Sequence, residues 1–279
     1  MDSTIIDPIE YGRVGKRTLT GTLYRPASPS DHLLPIILWV HGGAWMHGTR
    51  HDNADLFREM VAQGFACFSI SYRLSHEAIF PAAIMDCKCA VRYLRANAAE
   101  LGIQAENIGA WGPSAGGHLV ALLGTSANVP DLEGDGGWAG HSSAVQAVCD
   151  WFGPSDFLQM SAYPSDIDHD APDAPESLFI GNPIQQHPDL VQRANPITYI
   201  TAATPPMLIA HGKQDRIVPI NQSELLYEAL VAQGVEVTFE QLEAAGHGGA
   251  GFEPEGELFA TCIDFFKRHL MPTNSYLNQ

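Results

Sequence analysis

The sequence predicts an α/β protein built on a mostly parallel, doubly wound sheet, with helices on both faces and a loop or cap insertion. Three observations predict it. Short apolar runs rich in β-branched and aromatic residues alternate with segments of helical periodicity along the whole chain. Those runs are nearly continuous in apolar character rather than alternating, as strands covered on both faces must be. Glycine-rich or acidic loops follow the runs, where such sheets carry their sites.

In order, residues 17–24 are expected to add an antiparallel edge strand. Strands then follow at 36–40 (Ile-Ile-Leu-Trp-Val), 65–71, 107–111, 145–151, 206–210 and 235–241. Between them, 53–63 carries Leu56, Phe57, Met60 and Val61 at helical spacing and stops before Gly64. A helix over 81–100 opens on Pro81 and closes before Gly102, and 115–127 follows the strand at 107–111. The segment 219–233 starts with Pro219 and ends at Gly234, and 255–270 forms the last helix. Two stretches break the rhythm: 128–144, rich in Gly and Asp, and 154–204, which holds seven prolines. Long loops in a compact domain are usually lids or binding loops. With no repeat, low-complexity tract or linker, the expectation is one domain over 1–279 with a cap-like insertion at about 154–204.

Composition sets the bounds. At 279 residues, 45% apolar and 17% charged, the chain has ample material for a core and is not a disordered one. No apolar run reaches the roughly 18 residues of a membrane span. The start, Met-Asp-Ser-Thr-Ile-Ile-Asp, lacks the basic head and apolar core of a signal peptide, so a cytoplasmic protein is expected. Five cysteines cannot all pair with one another. Cys87 and Cys89, two apart on a helix, face different ways and read as structural thiols rather than a metal site. A net charge of −17 argues against nucleic acid and anionic membrane surfaces as partners. Oligomeric state is left open.

The chemistry lies in four segments. Gly-Pro-Ser-Ala-Gly at 112–116 is a G-x-S-x-G pattern between a strand and a helix, which makes Ser114 the candidate nucleophile. A serine hydroxyl needs a base to remove its proton and a turn to thrust it forward. His-Gly-Gly-Ala-Trp at 41–45 places small residues after a strand, so that backbone N–H groups can point at a ligand oxygen. Losing one such donor to a developing oxyanion costs about 2.7–4 kcal/mol. The N–H of Ala115, at a helix start, is the expected second donor. Asp215 sits past the strand at 206–210 and is the candidate acid, with capping of the helix near Pro219 as its structural alternative. Asp150, Asp156 and Glu243 compete for that role, but only Asp215 combines the strand-end context with the expected order Ser, acid, His.

Among twelve histidines, His247 in Ala-Ala-Gly-His-Gly-Gly has the order and context of the base. His41 is expected to brace the oxyanion loop, His118 to be packed, and His211 to hydrogen-bond locally. His76, His141, His169 and His187 are expected on the surface, with lining a pocket as the alternative. Trp45 and Trp151 are candidate pocket residues; for Trp45, core packing is an equal alternative.

Taken together, His-Gly-Gly-Ala-Trp, Gly-Pro-Ser-Ala-Gly-Gly-His-Leu, Asp-Trp-Phe-Gly-Pro-Ser-Asp at 150–156, His-Gly-Lys-Gln-Asp-Arg-Ile-Val-Pro and Gly-His-Gly resemble the α/β-hydrolase superfamily. Within it the chain is similar to bacterial carboxylesterases close to hormone-sensitive lipase, and especially to the bifunctional feruloyl and acetylxylan esterase-like group. The resemblance spans about residues 17–270. It implies a serine carboxylesterase acting on short-chain acyl or carbohydrate-linked esters, with Ser114, His247 and Asp215 as nucleophile, base and acid. It also implies an oxyanion hole from the N–H groups of Gly43, Ala44 and Ala115, no metal and no cofactor, and a small-molecule ester as partner. One departure is Ala44, which stands where many hormone-sensitive-lipase-like enzymes have a third glycine. Its methyl group is expected to narrow the acyl pocket, which puts bulky alcohols in question. An arylformamidase, a serine peptidase of the same fold and a binding protein on a hydrolase scaffold are the alternatives; the last is expected to have lost a triad member, and none is missing.

Overall fold

The computed structural model describes residues 3–27, 32–127 and 129–271. Their strands form one eight-stranded sheet in the order β1-β2-β4-β3-β5-β6-β7-β8. In chain order these are β1 (Ser3–Val14), β2 (Arg17–Pro26), β3 (Leu34–Val40), β4 (Ala66–Ser71), β5 (Ile103–Pro113), β6 (Ala147–Trp151), β7 (Met207–Gly212) and β8 (Val237–Leu242). The pairs β1–β2 and β2–β4 are antiparallel, and every pair from β4 through β8 is parallel.

The helices are α1 (Ala54–Ala62), α2 (Ala82–Ala96), α3 (Ala98–Leu101), α4 (Ala115–Thr125), α5 (Pro175–Ile180), α6 (Pro188–Ala194), α7 (Asn221–Ala232) and α8 (Glu257–Leu270). The apolar strands divide their side chains between two cores. Ile36, Leu38 and Val40 of β3 face one core with Ile84 and Val91 of α2, Leu119 and Leu122 of α4, and Leu226 and Leu230 of α7. Ile37 and Trp39 face the other, with Phe57 and Met60 of α1 and Phe259 and Phe266 of α8. Each such large apolar side chain contributes about 1.5–3 kcal/mol by leaving water. Continuous hydrophobicity along the strands is thus the direct consequence of two covered faces.

Four expectations need correction. The 17–24 strand is antiparallel but not an edge, because β1 lies outside it. β1 escapes a periodicity reading because Pro8 and Gly12 interrupt it, and its register shifts at both places, between Ile6 and Ile9 and between Glu10 and Gly12. Proline within a strand is tolerated at such a sheet edge. The 81–100 helix is broken at Asn97 into α2 and α3, and β5 begins four residues before the expected 107. Finally, 154–204 is not loop throughout: α5, α6 and short 3₁₀ turns fold within it, and Phe157, Met160, Phe179 and Val191 join the first core. Its prolines open these short helices instead of excluding them, since the first helical turn has no use for the missing N–H.

Candidate active site

Ser114 stands between β5 and α4 with φ 56° and ψ −124°. The turn is tight because its neighbours have no side chains. A Cβ on Gly112 would lie 2.5 Å from the Val40 carbonyl oxygen, and one on Gly116 would strike the same oxygen and that of His41. Only glycine lets α4 start this close to the end of β3, which is the physical content of the two glycines around the serine. The Ser114 N–H donates to the Trp151 carbonyl at 2.8 Å, tying the turn to β6.

The loops after β7 and β8 bring the other two groups to it. His247 Nε2 lies 2.9 Å from Ser114 Oγ, and its Nδ1 lies 2.8 Å from Asp215 Oδ2. Asp215 is buried, and its Oδ1 accepts the N–H groups of Ile217 at 2.8 Å and Val218 at 2.9 Å. This is a local turn rather than a helix cap, for α7 begins only at Asn221. Burial alone would raise the Asp215 pKa, but hydrogen bonds from His211 and His247 hold it well below the usual carboxylate range. With Asp215 charged and accepting at Nδ1, the imidazole is oriented with Nε2 free to receive the serine proton. The competing acids go elsewhere. Asp150 accepts from Gly153 N–H, Asp156 caps a 3₁₀ turn through Leu158 N–H, and Glu243 pairs with Lys213.

His211 was expected to bond locally, and it does: Nδ1 meets Ser223 Oγ at 2.7 Å and Nε2 meets the Val218 carbonyl at 2.8 Å. The same Nε2 is 3.2 Å from Asp215 Oδ2, a contact that the sequence reading missed. The spacing of four along the chain was the available signal.

Gly43, Ala44 and Ala115 surround Ser114, and their N–H groups donate to no other described group. Gly43 and Ala44 have φ of 104° and 53°, so this loop turns through left-handed backbone. His41 lies stacked on Tyr72 at 4.3 Å beneath this loop, with the Tyr72 hydroxyl donating to the His41 carbonyl. Trp45 combines its two readings: it packs on Phe179 at 4.7 Å and also lines a cavity beside Ser114. Its indole N–H donates to His118 Nδ1 at 3.2 Å, while His118 Nε2–H donates to the Ala194 carbonyl at 2.8 Å. His118 is therefore neutral, and burial pushes its pKa down to about 4.

Two cavities flank Ser114. One, of about 40 Å³, lies between Ala44, Trp45, Ala115 and the 154–204 segment. The other, of about 600 Å³, is lined by Trp39, His47, Asn53, Trp151, His247 and Phe252, among others. His169 corrects an expectation: it is 1% exposed and walls the small cavity with Glu176. Sequence reasoning missed Glu176 altogether, because nothing in a short acidic segment marks which carboxylate is covered.

The BD-FAE family model matches residues 22–230. Esterase LipC of Mycobacterium tuberculosis is 34% identical over 216 residues, 77% of this chain and 53% of LipC. Esterase LipQ of the same organism is 32% identical over 241 residues, 86% of this chain and 56% of LipQ. The chain thus spans about half the length of these relatives. Among solved structures, a truncated carbohydrate esterase from gut microbiota superposes with a TM-score of 0.86 at 33% identity, covering 96% of this chain and 97% of that one.

Proposed function

The chain belongs to the BD-FAE family and has an α/β-hydrolase fold, and from that premise we propose that it is a serine carboxylic-ester hydrolase acting through an acyl-enzyme on short-chain acyl or carbohydrate-linked esters. The observation that carries the proposal is the line Ser114 Oγ, His247, Asp215 at 2.9 and 2.8 Å, with undonated N–H groups beside the serine and a cavity on either side of it.

In the proposed reaction His247 takes the Ser114 proton as Oγ attacks the ester carbonyl. The N–H groups of Gly43, Ala44 and Ala115 hold the oxyanion. The imidazolium gives its proton to the leaving alcohol, and water then repeats the sequence on the acyl-enzyme. The small cavity suits the acyl group and the large one the alcohol, including a sugar. We read the chain as one domain with 154–204 as its cap, supported by the single sheet that the strands among the described residues share. A small-molecule partner rather than nucleic acid agrees with the net charge of −17. A cytoplasmic site agrees with five unpaired, buried cysteines, and no helix among the described residues is long and apolar enough to cross a membrane.

The test is a fluorophosphonate probe followed by a panel of p-nitrophenyl acyl esters, acetylated xylo-oligosaccharides, methyl ferulate and N-formylkynurenine. The expected result is covalent labelling that Ser114→Ala abolishes, with acetyl esters turned over best. Full activity in Ser114→Ala would sink the assignment, and preference for N-formylkynurenine would make the protein a formamidase.

A further inference from the structure

The turn after β6 carries no member of the triad, yet it touches the element that holds each of them. β6 lies between β5, which leads to Ser114, and β7, which leads to Asp215. The Trp151 carbonyl accepts the Ser114 N–H at 2.8 Å, and the Phe152 N–H donates to the Ala210 carbonyl of β7 at 2.8 Å. The Gly153 N–H closes the turn on Asp150 Oδ1 at 2.9 Å. A Cβ on Gly153 would strike the His118 backbone nitrogen, so the turn sits hard against α4. Between these bonds Phe152 is held at φ 45°, left-handed backbone that a bulky residue seldom adopts. Strain of this kind persists only where the surroundings over-determine it, and it gathers at functional sites.

The ring of Phe152 completes the connection to the third element. It is buried, and its centre lies 4.8 Å from that of the His247 imidazole, with 60° between the two planes. It also lies 4.8 Å from Phe252, further along the loop that carries His247. That loop has little of its own to hold an imidazole, since residues 244–249 read Ala-Ala-Gly-His-Gly-Gly. Asp215 fixes Nδ1, but one hydrogen bond there does not by itself set the tilt of the ring plane. Among the described residues, no aromatic ring other than Phe152 packs on His247.

We infer that Phe152 is a positioning residue for the base: its ring, held toward the loop after β8 by the left-handed turn, braces the His247 imidazole so that Nε2 stays aimed at Ser114 Oγ. This rests on the reading of Ser114 as nucleophile and His247 as base of an esterase. Acylation and deacylation both need Nε2 in place, and misplacing a reacting group by about 1 Å costs about 100-fold in rate. The ring also lines the large cavity, so its competing role is that of a substrate wall. The two roles separate kinetically. A brace acts on both chemical steps together and so on kcat, whereas a wall acts on binding and so on KM.

Phe152→Leu keeps most of the bulk without the ring, and Phe152→Gly removes the ring while leaving the backbone free to hold its φ. Each is compared with the wild type for kcat and KM on p-nitrophenyl acetate and for the rate of covalent labelling by a fluorophosphonate, with folding checked by circular dichroism. Both variants are expected to lose at least about tenfold in kcat with KM within about twofold of the wild type. The labelling rate is expected to fall in step, because there too the serine needs its base. If Phe152→Leu does not fold, Phe152→Gly decides, since it relieves the turn. Folded variants with the wild-type kcat would overturn the proposal, whether KM rises or not. A fall in kcat with labelling at the wild-type rate would sink it as well, because the ring would then not act through the base. Each of these results leaves the esterase reading intact. A wild type that neither hydrolyses the ester nor takes the label would overturn that reading, and the proposal with it.

Discussion

Ser114 holds a backbone conformation that costs a non-glycine residue of order 1–3 kcal/mol, and it does so because Gly112 and Gly116 let three backbone segments meet around it. On the proposed mechanism, Ser114→Ala loses at least about 10⁴-fold in kcat with KM nearly unchanged, since the hydroxyl acts only in the chemical steps. Ala44 makes a second prediction at this scale. Its φ of 53° is one that alanine tolerates poorly and glycine freely, and its methyl group lines the small cavity. Ala44→Gly is therefore expected to keep or raise the melting temperature and to increase the butyrate-to-acetate ratio of kcat/KM at least about fivefold in an acyl-chain series. An unchanged ratio would mean that the methyl group does not bound the acyl site.

At the scale of elements, α4 packs against one buried titratable group, Asp150 at the end of β6, and carries another, His118, which the 154–204 segment covers; the two have opposite effects. A Cβ on Gly117 of α4 would run into Asp150 Oδ1, so the carboxyl is packed directly against that helix. Burial raises the Asp150 pKa to about 7 and lowers that of His118 to about 4. In the unfolded chain they titrate near about 3.9 and about 6.5. Between pH 4 and 6.5 the unfolded state binds the extra proton at His118, so this residue makes stability fall as the pH falls. Over the same range the native state holds the extra proton at Asp150, so that residue makes stability fall as the pH rises. The two slopes oppose each other. Asp150→Asn removes one of them. Urea unfolding of that variant is expected to show stability climbing from pH 4 to 6.5 by about 3 kcal/mol more than in the wild type. Parallel pH profiles for the two proteins would contradict this.

Across the whole molecule, the 154–204 segment is structural as well as a border of the site. It places Phe157, Met160, Phe179 and Val191 in the first core, and through Ala194, His118 and Trp45 it is bonded to the loop after β3. Replacing residues 158–192 by a short linker is expected to abolish cooperative thermal unfolding rather than to open the site, because several buried aromatic and aliphatic side chains, each worth about 1.5–3 kcal/mol, leave together. A cooperative transition near the wild-type midpoint would show that the segment is dispensable to the core. The arrangement also joins binding to fold: the small cavity is walled on one side by the loop after β3 and on the other by this segment.

What the sequence determined by itself was whatever depends on neighbours in the chain. Two covered faces demand continuous apolar strands, tight turns demand glycine, and Ser114, Asp215 and His247 stand in loops that follow the apolar runs of β5, β7 and β8; all of this was legible. The tertiary structure alone decided the rest. Pro8 hid β1, whose place outside β2 depends on pairing rather than on periodicity. The short helices of 154–204 are held by the core they pack on, not by propensity. His169 and Glu176 look like surface residues in an acidic segment, and only the approach of residues 165–167 and 217–218 covers them. Whether a polar side chain is buried, and what it must then bond to, is set by what folds across from it, and that is not written in its own neighbourhood of the chain.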